Sequence, residues 1–425
     1  VCSHPVDAGK IRILYGMKGG DGAAAPSLSF YKEVSALKKK CFSPLALVVT
    51  ALLTVVVTVA VLAGMAWLLL GRAGLGMAQA MVLINTQFVG EHDIDKAVDQ
   101  AMDALIEGLG DRWSYYMDAD GYTAQQESRS NSYVGIGVTV TYPEDGGMLI
   151  QSVTEGGPAE KAGLTAGERI VAVDGTELTA ENQQEGATLI KGEEDTQVVL
   201  TIMSADGVRR EVTVTRRTVE EHPAKGELLS DGTGLVTIKN FNSRCAEETI
   251  AVVEELVDQG AKRLVFDVRN NGGGYVNELT TLLDYLLPEG DIFRSETKAG
   301  AKQVVTSDAD CVDLPMAVLV NGNTYSAAEL FAAELQEMDW GVVVGEPTFG
   351  KGFSQQTFPL VNGGAINIST ARYYTGKGVC LIGTGLTLDQ EVTLTEEQSA
   401  ALAAGNLAPE GDPQLQAALA LLEEN

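Results

Sequence analysis

Histidine and cysteine are scarce in this chain, and their spacing excludes several kinds of site. The 425 residues include three histidines, at positions 4, 92 and 222, and five cysteines. No His-Glu-x-x-His or Cys-x-x-Cys sequence occurs, so neither a metalloprotease-type zinc site nor a zinc knuckle or thioredoxin-like site is expected. We therefore expect no metal and no cofactor, and we interpret the cysteines as small buried side chains.

Positive charge is also scarce, and it is unevenly placed. The chain has 30 Lys and Arg residues against 58 Asp and Glu, a formal net charge of -28. Residues 1–72 carry a net charge of +5, so the remainder carries -33. Such an acidic body repels phosphate backbones, which argues against a nucleic-acid partner. The length exceeds what one hydrophobic core supports, so several folded units are expected.

One long apolar run is present, from Pro44 to Leu70, with 27 residues and no charge. As a helix it would be roughly 40 Å long, enough to cross a hydrocarbon core of about 30 Å. A buried core helix would show polar positions at helical spacing, whereas the only polar side chains in this run are threonine hydroxyls. Lys38–Lys40 precede the run and only Arg72 follows closely. This asymmetry predicts a single-pass cell membrane protein with a cytoplasmic N-terminus and an extracytoplasmic body.

Residues 133–217 show a pattern of short strands with one helical turn. Gly135-Ile136-Gly137-Val138 opens a strand, and the stretches 196–203 and 208–216 form a hairpin. With the run 156–175, GGPAEKAGLTAGERIVAVDG, this order resembles a PDZ domain. The resemblance implies that the glycine loop donates backbone N–H groups to a peptide's terminal carboxylate, while the peptide adds as a strand to the sheet edge. Taken alone, the loop glycines would equally suit any tight turn.

From Leu235 onward, strands and helices alternate. The pattern predicts strands at 235–241, 263–269, 316–320 and 342–346, and helices at 246–259, 276–287 and 326–338. This alternation is typical of βαβ units on a largely parallel sheet. A β-hairpin is predicted at 353–360 and 365–374, and the last thirty or so residues are expected to be helical.

Three polar segments follow predicted strands, where sites form in open α/β sheets. They are Asp267–Gly274, Asn323–Glu329 and Glu346–Gln355. Each has a structural explanation when taken alone: Ser326 is a helix N-cap, the three glycines make a tight turn, and Lys351 is a solvated lysine. The third segment fits most of a nucleotide-binding P-loop. However, Gly352 replaces the hydroxyl residue and a predicted strand follows instead of a helix, so we exclude nucleotide binding.

Read in order, DVRNNGGG, TYSAAE and VGEPTFGKGFSQ resemble the motifs of the carboxyl-terminal processing peptidases, the tail-specific proteases of family S41. The resemblance covers roughly residues 85–425. It implies an α/β, multi-domain α+β chain in which a PDZ β-sandwich or barrel with helices precedes a crotonase/ClpP-like serine-protease core. Tyr325 stands where the family more commonly has alanine, and residues 385–389, GLTLD, depart from the family's Gly-Ile-x-Pro-Asp.

The resemblance also implies roles for six residues of these segments. They are Ser326 as nucleophile, Lys351 as general base, Gln355 as the residue that orients the lysine, and Ala327 with Gly273 or Gly274 as oxyanion-hole donors. A lysine with an ordinary pKa near 10.4 is protonated at neutral pH and cannot act as a base. Burial must therefore lower its pKa to about 7–8.

The predicted organisation has six parts. These are a cytoplasmic tail (1–43), a transmembrane helix (44–70), an N-terminal helical segment (71–130), a PDZ domain (131–218), a peptidase core (219–392) and a C-terminal helical segment (393–425). The predicted function is a membrane-anchored serine endopeptidase that cleaves extracytoplasmic proteins near their free C-termini. The alternative is a catalytically silent PDZ scaffold, which the presence of both Ser326 and Lys351 disfavours. The sequence leaves homo-oligomerisation open.

Overall fold

The computed structural model describes residues 44–424, so the predicted tail, 1–43, lies outside the described residues. The chain divides into two compact units, one ending at Ile94 and the other beginning at Asp95. The first unit contains helix α1 (Pro44–Gln87), which is interrupted at Gly71 by a non-helical φ of 60°. No residue of α1 is buried, and its length and composition suit a membrane crossing. The predicted transmembrane helix, 44–70, thus ends just before the interruption at Gly71, whereas α1 continues to Gln87.

The segment before the PDZ-like region contains more structure than the sequence predicted. The helical segment predicted at 71–130 includes α2 (Ile94–Glu107). The polar stretch after it, for which no element was predicted, forms strand β1 (Tyr115–Met117) and helix α3 (Ala119–Ser130). Asp118 starts α3 because its carboxylate accepts the N–H of Gly121 at 2.8 Å and satisfies a free donor of the first turn.

The PDZ-like region forms an antiparallel sheet with a short two-stranded ribbon at its base. Strand order in the sheet is β3-β4-β5-β7-β8, with β6 paired to β5, and the ribbon joins β2 to β9. Its elements are β2 (Ser132–Gly135), β3 (Val138–Thr141), β4 (Met148–Val153), α4 (Pro158–Lys161), β5 (Arg169–Val173), β6 (Thr176–Glu177), α5 (Gly186–Ile190), β7 (Gln197–Met203), β8 (Arg209–Thr215) and β9 (Arg217–Glu220). The predicted hairpin is confirmed as β7 and β8. Alternate residues of these strands, such as Met148, Ile150, Leu200 and Ile202, fill a separate core.

The central sheet has the order β10-β11-β12-β15-β16-β19. All neighbouring pairs are parallel except the edge strand β10, which is antiparallel to β11. The strands are β10 (Ala224–Leu228), β11 (Thr233–Ile238), β12 (Arg263–Asp267), β15 (Met316–Val320), β16 (Gly341–Gly345) and β19 (Gln390–Glu391). The predicted parallel core is therefore confirmed.

Helices cover both faces of this sheet. Those on one face are α6 (Cys245–Asp258), α7 (Val276–Leu286) and α8 (Ala327–Glu337), and the C-terminal segment contains α9 (Glu396–Ala403) and α10 (Pro413–Glu424). Leu264 and Phe266 of β12 face the first group, whereas Val265 between them packs with Leu415 of α10. This alternation, together with the apolar composition of the strands, is what a sheet buried on both faces requires.

A second antiparallel sheet stands beside the central one, in the order β1-β18-β13-β14 with β17 also paired to β18. Its strands besides β1 are β13 (Gly290–Thr297), β14 (Lys302–Ser307), β17 (Phe353–Pro359) and β18 (Ala365–Tyr374). The predicted hairpin is confirmed as β17 and β18, whereas the β13–β14 hairpin was not predicted. Because β18 pairs with both β1 and β17, it brings the residues before β1 close to those before β17.

Helix α8 carries a buried acid near the end of this second sheet. Glu334 is fully buried, and its Oε1 accepts the N–H of Gly376 at 2.8 Å. Within residues 44–424 its Oε2 has no hydrogen-bond partner. Burial raises the pKa of Glu334 to about 8, and the neighbouring Glu337 contributes to the increase.

Candidate active site

The turn between β15 and α8 holds Ser326 in a conformation that serine rarely adopts. Its φ is 62° and its ψ is -125°, outside the regions favoured by residues with a Cβ atom. It occupies the N-cap position, yet its side chain makes no capping hydrogen bond. The simple N-cap explanation therefore fails, because the hydroxyl is not used to satisfy the helix. Such strain in a surface turn is typical of a functional site.

Lys351 lies in the loop between β16 and β17 and is 8% exposed. Burial lowers the pKa of its amine to about 8, the positive charge of Arg129 lowers it further, and Asp111 opposes the change. A solvated lysine would show no such decrease. The value lies at the upper end of the range expected from the sequence for a neutral general base.

Aromatic rings surround the Lys351 amine. Its Nζ lies 4.1 Å from the centroid of Trp113 and 5.7 Å from that of Tyr325, and both rings also contact Phe349. The ring of Phe353, two residues beyond Lys351, lies under the guanidinium of Arg372. The described residues show no hydrogen bond between Lys351 Nζ and Ser326 Oγ. The amine therefore rests over Trp113 in this arrangement, within the cavity that Ser326 also lines.

Glu329 connects the serine turn to the lysine loop. It is fully buried, and its carboxylate accepts the N–H of Gly350 at 2.7 Å, that of Lys351 at 3.0 Å and the hydroxyl of Thr348. Burial raises its pKa, and hydrogen bonds from these groups and from the Ser326 backbone oppose the increase. All its partners donate, so the arrangement uses the ionised carboxylate. Glu329 therefore places the lysine loop against the helix that begins at Ser326.

Tyr373 supports the same two segments from β18. Its buried hydroxyl donates to the carbonyl of Lys351 at 2.8 Å and also interacts with the side chain of Ser326. Burial raises the pKa of Tyr373 well above 10, so the phenol stays protonated and remains a donor. The lysine loop is thus held by one carboxylate and one phenol.

The glycine turn after β12 packs directly against the serine. A Cβ atom on Gly273 would lie 2.8 Å from both the Ser326 Cβ and the Ala327 backbone N. The N–H of Gly273 donates to the Asn271 side chain at 2.8 Å, so it is already used. Gly274 forms a bridge with Phe241 through the Gly273 carbonyl and the Tyr275 N–H, which leaves its own N–H out of that pairing. Of the two glycines predicted as oxyanion donors, Gly274 is the one whose N–H these bonds leave free.

Ala327 lies at the first position of α8, where helical geometry provides no acceptor for the backbone N–H. Ala327 and Gly274 both line the cavity that contains Ser326. The two donors predicted for an oxyanion are therefore brought to the same cavity as the serine.

Gln355 lines this cavity, but the structure shows it bonded elsewhere than predicted. Its amide nitrogen donates to the Phe353 carbonyl at 2.9 Å and to the Ser369 hydroxyl at 3.0 Å. The described chain contains no hydrogen bond between Gln355 and the Lys351 amine. Strand β17 begins only at Phe353 and its register shifts between Ser354 and Gln355, so simple strand alternation does not give the direction of the Gln355 side chain. An orienting role for Gln355 remains a prediction.

The strand end that precedes the glycine turn has a structural role. The Arg269 guanidinium lies between two carboxylates, 2.6 Å from Asp267 and 2.7 Å from Asp412, and donates to Gln414 at 2.9 Å. These partners raise the pKa of Arg269 although burial opposes them, so the group stays charged. These two ion pairs connect the start of α10 to the end of β12.

Helix α3 forms a wall of two different cavities. One, of about 750 Å³, contains Ser326 and Lys351 and is bordered on this side by Tyr122, Gln125, Gln126, Arg129 and Ser130. The other, of about 500 Å³, lies along β3 and is bordered by Ala124, Glu127 and Ser128. The second cavity is also lined by all four predicted peptide-binding residues, Gly135, Ile136, Gly137 and Val138.

Comparison with known proteins agrees with the sequence resemblance. The model of Peptidase family S41 matches residues 232–392, and a PDZ domain model matches residues 149–203. The chloroplastic C-terminal processing peptidase of Tetradesmus obliquus is 32% identical over 321 residues, which cover 70% of this chain and 69% of that protein. The carboxy-terminal processing protease CtpA of Bacillus subtilis is 33% identical over 69% of this chain, which spans 64% of the length of that relative.

A solved S41 protease structure from Bacteroides fragilis covers 76% of this chain and 90% of its own, with a TM-score of 0.52 and 18% identity, and so supports the fold alone. The chain belongs to the carboxy-terminal processing proteases of peptidase family S41, which are serine peptidases, and it includes a PDZ domain.

Three features of the site were not assigned from the sequence. These are the aromatic contact of Trp113, the carboxylate of Glu329 and the position of α3. Ser-x-x-Glu at 326–329 is a capping-box pattern, which indicated a bond from Glu329 back to the serine turn. For α3, the sequence signal was Asp118, a residue type that commonly starts a helix as its N-cap. The sequence contained no signal for the contact between Trp113 and Lys351.

Proposed function

We propose that this protein is a membrane-anchored endopeptidase with a Ser326–Lys351 dyad that binds protein C-termini in its PDZ domain. The observation that carries the proposal is the shared cavity of a strained serine and a buried lysine whose pKa is about 8. A catalytically silent scaffold would need neither the strain at Ser326 nor the burial of the Lys351 amine, and both are costly. We also propose a crotonase/ClpP-like topology for the core.

The reaction follows from these groups. Neutral Lys351 removes the proton of the Ser326 hydroxyl, and the serine oxygen attacks the peptide carbonyl. The N–H groups of Ala327 and Gly274 stabilise the negative oxygen that forms. The lysine then gives its proton to the departing amine, which leaves an ester on Ser326. Water, deprotonated by the lysine, hydrolyses this ester and releases the new C-terminus. Gln355 would orient the lysine through its side-chain oxygen.

Helix α1 anchors the protein in this proposal, with the charge asymmetry around it placing residues 73–425 outside the cytoplasm. Its substrates are then extracytoplasmic proteins or peptides that end in a free carboxylate.

The rate of cleavage should increase with pH through a midpoint near 8. Only the neutral amine of Lys351 can accept a proton, so kcat/KM should rise about tenfold per pH unit below the midpoint. Arg129→Gln should move the midpoint to higher pH, because it removes a positive charge that disfavours the ammonium form. Peptide cleavage measured between pH 6 and 10 checks both expectations. A flat profile from pH 6 to 9 would contradict the lysine base.

The full chain should cleave a protein with an apolar free C-terminus faster than its C-terminally amidated twin. The groove along β3 is lined by apolar side chains, including Ile136, Val138, Met148 and Ile190, and the acidic body offers no general attraction for acidic tails. The amide removes the charge that the glycine loop would bind. Matched cleavage assays measure the ratio. Equal rates for the two substrates would leave a Ser-Lys peptidase without C-terminal selectivity.

A further inference from the structure

The groove along β3 contains an ionic contact that its peptide-binding role does not require. Lys191 follows α5 directly and lies at the wall of the same cavity as the glycine loop. Its Nζ lies 2.7 Å from Oε2 of Glu127, which belongs to α3. Among the described residues that line this cavity, Lys191 is the one cation, and Glu127 and Glu221 are the anions.

The geometry of the groove sets where a peptide carboxylate would arrive. Strand β3 is at the end of its sheet, so its free edge can accept an added strand. The glycine loop immediately before β3 then lies at the end of the added strand, where its carboxylate is bound. Because Lys191 borders the same cavity as this loop, the arriving carboxylate meets one cation that already has a partner.

The contact between Lys191 and Glu127 is suited to exchange. The side chains are 51% and 29% exposed, and ion pairs of this kind contribute little to stability. A peptide carboxylate that is also held by backbone N–H groups would bind the ammonium more favourably than Glu127 alone does. The displaced Glu127 would then face water on the groove side of α3.

We propose that Lys191 is a recognition residue for the substrate carboxylate, and that Glu127 forms an ion pair with Lys191 until the substrate replaces it. The inference rests on the proposed C-terminal recognition and adds to it a specific side chain and its competitor. It also makes Glu127 a negative determinant: the glutamate lowers affinity for every carboxylate-ended ligand and has no effect on amidated ones.

Binding of a ten-residue peptide ending in leucine to the full chain tests this proposal. The chain carries Ser326→Ala to prevent cleavage and is kept in detergent, and fluorescence anisotropy gives Kd for the free-acid peptide and its amidated twin. Lys191→Gln should weaken free-acid binding about 5- to 10-fold and change amide binding less than about twofold. Glu127→Gln should tighten free-acid binding by about threefold. Lys161→Gln, an exposed lysine on α4 outside this groove, is the matched control and should change neither.

The outcomes distinguish failure of the Lys191 role from failure of C-terminal recognition as a whole. If the parent protein prefers the free acid and Lys191→Gln keeps that preference unchanged, the role of Lys191 is overturned and C-terminal recognition stands. If the parent binds both peptides equally, C-terminal recognition fails and the role of Lys191 fails with it. Weaker free-acid binding in Lys161→Gln, by as much as in Lys191→Gln, would show a general charge effect and overturn the specific contact.

Discussion

Lys351→Arg is expected to lower kcat/KM by about 10³-fold or more, because a guanidinium stays charged and cannot accept the serine proton. Ser326→Ala should have an effect at least as large, since it removes the attacking oxygen. The measurement is steady-state cleavage of a peptide with a free C-terminus. More than a tenth of the parental activity in Lys351→Arg would refute the dyad.

Lys351→Met separates loss of the base from loss of the fold. The substitution keeps a similar side-chain length but removes a buried cation that lies over Trp113 and has no ion-pair partner within residues 44–424. We expect it to be as inactive as Lys351→Arg and at least as stable as the parent in thermal unfolding, because no charge needs to be desolvated. Lys225→Met, at an exposed position of β10, should retain full activity.

Glu329→Gln is expected to lower kcat/KM by about 10- to 100-fold. The amide group can still accept with its oxygen, but its nitrogen would face a backbone donor such as the Lys351 N–H. Leaving a buried donor unpaired costs about 1–3 kcal/mol. If this whole cost raises the activation free energy by misplacing the lysine, the rate falls roughly 5- to 150-fold. Glu329 acts by positioning, so the pH profile should also change. An unaltered rate with an unaltered profile would exclude this role.

A matched control for Glu329→Gln exists on the same helix. Glu337 likewise accepts from a loop, through the Thr375 hydroxyl and the Lys377 N–H, but lies at the opposite end of α8. The two ends are about 15 Å apart. Glu337→Gln should therefore change stability without a comparable loss of activity. Equal loss in both variants would point to general loosening of the helix.

The four inner strands of the central sheet were predictable because they are short and apolar and the helices beside them have apolar stripes, whereas the edge strands β10 and β19 were not predicted. Met316–Val320 was predicted to the residue, and the neighbouring elements were predicted within about four residues. Such patterns are local and depend on burial on both faces of the sheet. The positions of Ser326 and Lys351 in one cavity were predictable only through the family resemblance, since neither residue is distinctive alone.

The features of the site that could not be predicted from the sequence depend on contacts between segments that are distant along the chain. Helix α3 has a polar sequence without an apolar stripe, because each of its long sides borders a cavity instead of a core. The contact of Trp113 with Lys351 joins residues that pairing of β1 and β17 with β18 brings together. The bonding of Gln355 depends on a register shift that strand alternation does not indicate.

Glu334 and Lys351 give the stability of this protein an unusual dependence on pH. The raised pKa of Glu334 means that folding retains a proton which the unfolded chain loses above about pH 4.5, so stability decreases from there until about pH 8. The lowered pKa of Lys351 means that the unfolded chain keeps a proton between about pH 8 and 10.5 which the folded protein has released, so stability increases over that range. The contributions of these two groups are together least favourable near pH 8, where half of the Lys351 amine is neutral.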